Sequence, residues 1–139
     1  DEITIFNNGK HKRDFTYIDD IVEGIIRVID KPSLPNKKWD RNNPDPSSSS
    51  APYKVYNIGN NNPVNLMDFI DCLEETLGKP IKKKFLPLQP GDVEDTYADV
   101  SDLITDFNYK PNTSIKIGIQ NFCNWYKDFY SWDMDKINR

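Results

Sequence analysis

An α/β fold is the class this sequence predicts, and three features carry it. The stretch Tyr53-Lys54-Val55-Tyr56-Asn57-Ile58-Gly59 reads as a strand, and polar Asn60-Asn61-Asn62-Pro63 turns it into a helix over 64–77. A strand over 14–18 leads in the same way into a helix over 20–30. Two further strands, at 3–6 and 81–86, and two further helices, at 100–107 and 114–130, bring the total to a few strands with about four helices.

Each element has a local cause. Ile3 to Phe6 is a short β run, and Asn7-Asn8-Gly9-Lys10 is a turn because Asn and Gly tolerate positive φ at low cost. In the helix over 20–30, Ile21, Val22, Ile25, Ile26, Val28 and Ile29 form a wide apolar face, so this helix is expected to be mostly buried. Asp19 or Asp20 is expected to cap it, Glu23 and Arg27 stand at i,i+4, and Pro32 stops it. From 33 to 52 the composition turns to Pro, Asn, Asp and serines, which reads as a flexible surface loop anchored by Trp39. Leu66, Phe69, Ile70, Leu73 and Leu77 mark the buried face of the next helix, with Asn65 and Asp68 at its start and Gly78 and Pro80 at its end. The last helix carries Ile115, Ile119, Phe122, Tyr126 and Phe129 on one stripe, and a frayed tail is expected over 131–139.

Length and charge exclude several classes of function. With 139 residues, 37% of them hydrophobic, the chain is expected to form a single unit over 1–139. A formal net charge of −4 argues against nucleic-acid binding, which depends on neutralising many phosphates. Cys72 and Cys123 show no C-x-x-C spacing and read as buried free thiols in a reducing compartment. No apolar run approaches the ~18 residues of a membrane span and no charged-then-apolar leader is visible, so a soluble, cytoplasmic protein is expected. Asp1 is followed at once by a strand-like run, which reads as a chain that begins in the middle of a fold.

The chemistry concentrates in Lys12-Arg13-Asp14-Phe15-Thr16-Tyr17-Ile18-Asp19-Asp20. Arg13 offers a planar fork of donors to a phosphate, and a solvated basic turn is the bland alternative. His11 reads as an exposed turn residue, and helix capping accounts for at least one of Asp19 and Asp20, so no metal is expected. Asp92 stands in a loop where it could accept hydrogen bonds from sugar hydroxyls, or merely form the turn after Gly91. Asn112-Thr113-Ser114 matches a glycosylation triplet and equally well a helix cap.

Three segments together are more specific. Lys12 to Asp20, Ser49-Ser50-Ala51-Pro52-Tyr53-Lys54-Val55-Tyr56-Asn57-Ile58-Gly59-Asn60, and Gln89-Pro90-Gly91-Asp92-Val93 with Thr96-Tyr97-Ala98-Asp99 resemble the C-terminal portion of extended short-chain dehydrogenase/reductase sugar-nucleotide enzymes. Within them the resemblance is closest to UDP-glucuronate 4-epimerases, and it runs from about Ile3 to Tyr130. It implies a Rossmann-type NAD-binding lobe joined to a smaller lobe that holds a UDP-sugar, and commonly a homodimer. The C4 hydroxyl of the sugar is oxidised by NAD and the hydride returns to the other face of a 4-keto intermediate, an activity used in making polysaccharide precursors. Neither the G-x-x-G-x-x-G loop nor the Tyr-x-x-x-Lys pair of such enzymes is in this chain, so the NAD site and the catalytic residues are expected upstream, and the chain alone is expected to be inactive.

The resemblance also assigns substrate-binding residues. Arg13 would contact the UDP diphosphate and Asp92 the ribose or neighbouring groups. Gln89 stands where galactose-type epimerases carry a phosphate-contacting arginine, and Thr96 where they carry a tyrosine, which favours the glucuronate group. Asn57 would border the ligand cleft or cap the turn after it. The alternatives are a 4,6-dehydratase or decarboxylase of the same superfamily, or a non-catalytic module that binds nucleotide sugars.

Overall fold

The periodic apolar segments do become four α-helices in the computed structural model, which describes residues 2–131. The chain divides into two compact units, one built from Asp1–Phe15, Pro63–Thr96 and Thr113–Arg139, the other from Thr16–Asn62 and Tyr97–Asn112. The tail expected to fray lies, over 132–139, outside the described residues.

In the first unit, strand β1 (Glu2–Ile5) pairs in parallel with β4 (Lys82–Phe85), Glu2 opposite Lys82 and Ile5 opposite Phe85. Ile5 points into the core and is 2% exposed. The turn after β1 is a single 3₁₀ turn, Asn7–Gly9, with φ of 50°, 49° and 78°, the left-handed values that Asn and Gly accept. Gly9 is needed there twice over, because a Cβ would also stand 2.8 Å from the Met67 sulfur. Strand β2 (Lys12–Arg13) then pairs antiparallel with β3 (Val64–Asn65), which runs directly into helix α2 (Leu66–Leu77).

Asn65 occupies the N-cap position of α2, but its side chain donates to the Asp68 carboxylate at 2.8 Å instead of capping a backbone amide. The other end behaves as expected: Gly78 takes φ 68° and its N–H returns to the last turn. Glu74 then ties α2 to β4, accepting from the Ile81 amide at 2.5 Å and from Lys83 Nζ at 2.6 Å. Helix α4 (Ile115–Phe129) is capped by the Ser114 hydroxyl, which accepts from the Ile117 amide at 3.4 Å, and it packs on α2 around Ile70, Ile119 and Cys123. Both cysteines are free thiols, Cys123 buried and Cys72 only half-buried.

In the second unit, helix α1 (Ile18–Asp30) starts two residues earlier than the apolar pattern suggests. Its N-cap position is Tyr17, while Asp19 and Asp20 lie inside the first turn, so neither serves as the cap; they face the positive end of the helix dipole instead. Glu23 and Arg27 pair at 2.6 Å, as their spacing implies. The expectation of a mostly buried helix fails: Ile18, Val22, Ile25, Ile26 and Ile29 are 45–69% exposed, and the buried residues are Asp20 and Gly24. Gly24 is where α1 comes closest to its neighbours, since a Cβ there would meet Ile58 at 3.2 Å and Tyr109 at 3.4 Å. The Tyr109 hydroxyl donates to the Asp20 carbonyl at 2.8 Å, and Arg27 sits over the Tyr109 ring at 4.8 Å. Helix α3 (Ser101–Phe107) buries Leu103, and Val100 and Pro111 of the same unit are also fully buried.

Two predicted strands are absent. No residue of the run over 14–18 is strand: pairing ends with β2 at Arg13, the Asp14 amide turns to the Thr96 hydroxyl at 3.0 Å, and Ile18 already belongs to α1. The segment over 53–59 forms one bridge, Ser48 opposite Lys54, and otherwise stays extended without a ladder partner among the described residues. A β-rich composition makes a strand only where a second strand offers the complementary groups. The loop over 33–52 is organised by Asp45, whose carboxylate accepts from the Ser47 amide and from the Ser47 and Ser48 hydroxyls, while its carbonyl accepts from the Trp39 indole at 3.2 Å. The Trp39 indole thus ties two parts of this loop to each other.

Candidate functional site

Arg13 is the last residue of β2, and the loop over 92–96 is laid along that strand. The Lys12 amide donates to the Glu94 carbonyl at 3.0 Å and the Thr96 amide to the Lys12 carbonyl at 3.2 Å, so Lys12 and Asp95 form a parallel bridge. The guanidinium of Arg13 folds back onto the same loop. Nη1 donates to the carbonyls of Lys12 at 2.9 Å and Glu94 at 2.7 Å, and Nη2 to the Val93 carbonyl at 2.8 Å and to His11 Nδ1 at 2.6 Å. The Asp92 carboxylate stands 3.6 Å from Arg13 Nη2 and 3.5 Å from His11 Nε2.

This arrangement brings several predicted residues together. Arg13, Asp92 and the turn that carries Gln89 form one group, for the Asp92 amide donates to the Gln89 carbonyl at 3.1 Å and Gly91 takes φ 83° between them. Thr96 supports the group from beside it, half-buried and accepting from the Asp14 amide. Asn57 belongs to the other unit, where it is exposed and donates to the Asp99 carbonyl at 3.2 Å. His11 was expected to be an exposed turn residue and is instead 4% exposed. Its burial comes from packing that sequence spacing does not report: β3 and α2 close over its backbone, with the Leu66 amide donating to the His11 carbonyl at 2.9 Å. Its Nε2 is buried without a hydrogen-bond partner.

A second polar cluster, wholly within the second unit, went unseen in the sequence. Lys54 Nζ bridges Asp106 at 2.8 Å and Asp102 at 3.1 Å, and the Tyr56 hydroxyl donates to Asp106 at 2.7 Å. The cluster lines a pocket of about 420 Å³ together with Lys31, Asn36 and Asp45. The hint in the sequence is the spacing: Lys54 and Tyr56 share a face of an extended segment, and Asp102 and Asp106 share a face of α3. The hydrogen bond from Lys54, and then that from Tyr56, hold the Asp106 carboxyl below the usual carboxylate range. Burial first and the Asp106 bond second push the Tyr56 hydroxyl up to about 12, so it remains a donor.

A carboxyl lowered by folding binds fewer protons in the folded than in the unfolded state. Its stabilisation is therefore complete above the unfolded value near ~3.9 and is lost as pH falls through the lower folded value. The denaturant midpoint of the protein should accordingly fall with acid below about pH 4, and Asp106→Asn should flatten that fall. Parallel acid limbs for wild type and variant would refute the role given to Asp106.

Among the described residues, no group of three or more His, Cys, Asp or Glu could hold a metal ion. No described helix is long and apolar enough to cross a membrane. Gly9, Gly24, Gly59, Gly78, Gly91 and Gly118 stand too far apart in sequence to form a dinucleotide-cradling loop.

Residues 1–59 match the family model described as the NAD dependent epimerase/dehydratase family. The likeness to this family model covers the first 59 of the 139 residues. Protein CapI of Staphylococcus aureus is 54% identical over 128 residues, which cover 92% of this chain and 38% of that protein. The probable UDP-glucuronate 4-epimerase of Rhizobium meliloti is 40% identical over 131 residues, 92% of this chain and 38% of the relative. Among solved structures, the UDP-glucuronic acid 4-epimerase of Bacillus cereus, in complex with UDP-glucuronic acid and NAD, superposes with a TM-score of 0.71 at 32% identity, over 93% of this chain and 36% of that one. The chain therefore spans a little over a third of the length of these relatives. The expected fold class holds: an α/β chain with four helices, matching part of Rossmann-type family members.

Proposed function

We propose that this chain is the substrate-gripping portion of an NAD-dependent UDP-sugar 4-epimerase that interconverts UDP-glucuronate and UDP-galacturonate through a 4-keto intermediate. The observation that carries the reading is the guanidinium of Arg13, set at a strand end beside Asp92 in a chain similar to an enzyme crystallised with UDP-glucuronic acid. A diphosphate approaching Arg13 would meet a cation already oriented by backbone carbonyls, with its Nη protons engaged by Lys12, Glu94, Val93 and His11, so the attraction would rest on its fixed charge. Asp92, exposed next to it, is placed to accept from ribose hydroxyls. Gln89 takes the place of a second arginine, which leaves Arg13 the larger share of the charge neutralisation. Thr96, tied to the Asp14 amide, takes part by shaping the loop that carries Asp92.

NAD would be held, and the sugar oxidised and reduced, by residues of the intact protein outside this chain, and the chain alone would be inactive. The intact enzyme would act as a cytoplasmic homodimer supplying polysaccharide precursors, and its free thiols suit a reducing compartment. Incubating the intact protein with UDP-glucuronate should yield UDP-galacturonate, with the same mixture reached from either side. A product lighter by one water would assign it to a dehydratase, one lighter by carbon dioxide to a decarboxylase, and unchanged substrate with tight UDP binding to a non-catalytic module.

A further inference from the structure

The geometry points to His11 as a positioning residue for Arg13: a buried imidazole, held as the tautomer with its proton on Nε2, that fixes the direction of the guanidinium by accepting from it at Nδ1. The inference rests on the proposed role of Arg13 in holding the nucleotide.

The tautomer follows from donor and acceptor logic. A guanidinium only donates, so at 2.6 Å from Arg13 Nη2 the Nδ1 atom of His11 has to be the acceptor. A neutral imidazole with a bare Nδ1 carries its proton on Nε2, and that atom faces the Asp92 carboxylate at 3.5 Å. Nε2 has no hydrogen-bond partner and lies in a side chain that is 4% exposed, so the N–H is aimed at a carboxylate just beyond bonding distance. His11 thereby links the two groups assigned to the nucleotide, with Arg13 on one nitrogen and Asp92 facing the other. His11 stands immediately before β2 with only Lys12 between it and Arg13, its ring meets the guanidinium at 2.6 Å, and β3 holds Lys12 and Arg13 in register. Without the imidazole, one N–H of Arg13 loses its partner and the guanidinium gains freedom that a bound phosphate would have to remove.

Titrating UDP into the intact protein by calorimetry tests the inference. His11→Leu should raise the Kd for UDP about tenfold, the size of one lost hydrogen bond to a charged group. His11→Asn, whose Oδ1 can stand near the place of Nδ1, should recover most of the affinity. In the Arg13→Ala background His11→Leu should add nothing, since the group it positions is gone. In ¹⁵N-histidine spectra the signals abolished by His11→Asn should be those of an unprotonated Nδ1 and a protonated Nε2. Unchanged affinity in His11→Leu, full additivity with Arg13→Ala, or a proton found on Nδ1 would each overturn the inference. Should His11→Leu not fold, His11→Asn and the tautomer decide. Should Arg13→Ala leave UDP affinity untouched, the nucleotide reading falls, while the tautomer still reports whether His11 holds Arg13.

Discussion

Arg13→Ala should weaken UDP binding to the intact protein by about 2 to 4 kcal/mol, because it leaves phosphate charge unpaired in a site with no second arginine at the Gln89 position. Two losses combine in that figure. One is the direct contact; the other is the loop over 92–94, whose Val93 and Glu94 carbonyls Arg13 holds at 2.8 and 2.7 Å and whose Asp92 carboxylate it faces. Arg13→Lys separates them. A lysine keeps the charge but not the fork, so it should recover part of the phosphate attraction while failing to hold Val93, Glu94 and His11 together. Calorimetric titration with UDP gives the binding term, and KM for the sugar nucleotide should move in the same direction. A nearly unchanged Kd in Arg13→Ala would remove Arg13 from the site.

The largest effect on stability is expected from Leu103→Ala, at about 2 to 5 kcal/mol, since truncating a fully enclosed leucine loses both transfer energy and the contacts around the cavity left behind. Leu103 is 0% exposed, so the space its truncation leaves is closed off from water. Ile104→Ala on the same helix, at a position 37% exposed, should cost clearly less. The comparison is made by denaturant unfolding followed through the tryptophans, with the shift in midpoint as the readout. A Leu103→Ala midpoint equal to that of Ile104→Ala would mean that α3 is not the keystone of its unit.

The helices could be read from the chain because every determinant of a helix is local. Apolar spacing marked α1, α2 and α4, Gly78 and Pro80 ended α2, and Ser114 supplied the cap of α4. Strands are a property of pairs, and their partners lie far away in sequence. Lys12 and Arg13 are strand because Val64 and Asn65 face them, whereas the more β-rich run from Tyr53 to Gly59 meets only one bridge. Burial was misjudged for the same reason. The aliphatic face of α1 looked like core, yet the packed side is the one carrying Gly24; His11 looked like surface, yet β3 and α2 enclose it. The motifs name Arg13, Asp92, Gln89 and Thr96, which the structure brings near one another, while the Lys54–Asp106 pair, 52 residues apart, left only a spacing.

The open aliphatic face of α1 also shapes the thermodynamics of unfolding. Five Ile and Val side chains that stay 45–69% exposed while the helix is folded contribute less to the change in hydration when it melts than fully buried ones would. The heat-capacity step and the denaturant sensitivity of this chain are therefore smaller than its length alone would set. A smaller heat-capacity step flattens the stability curve, so calorimetry should find a weaker dependence of stability on temperature than a fully buried α1 would give.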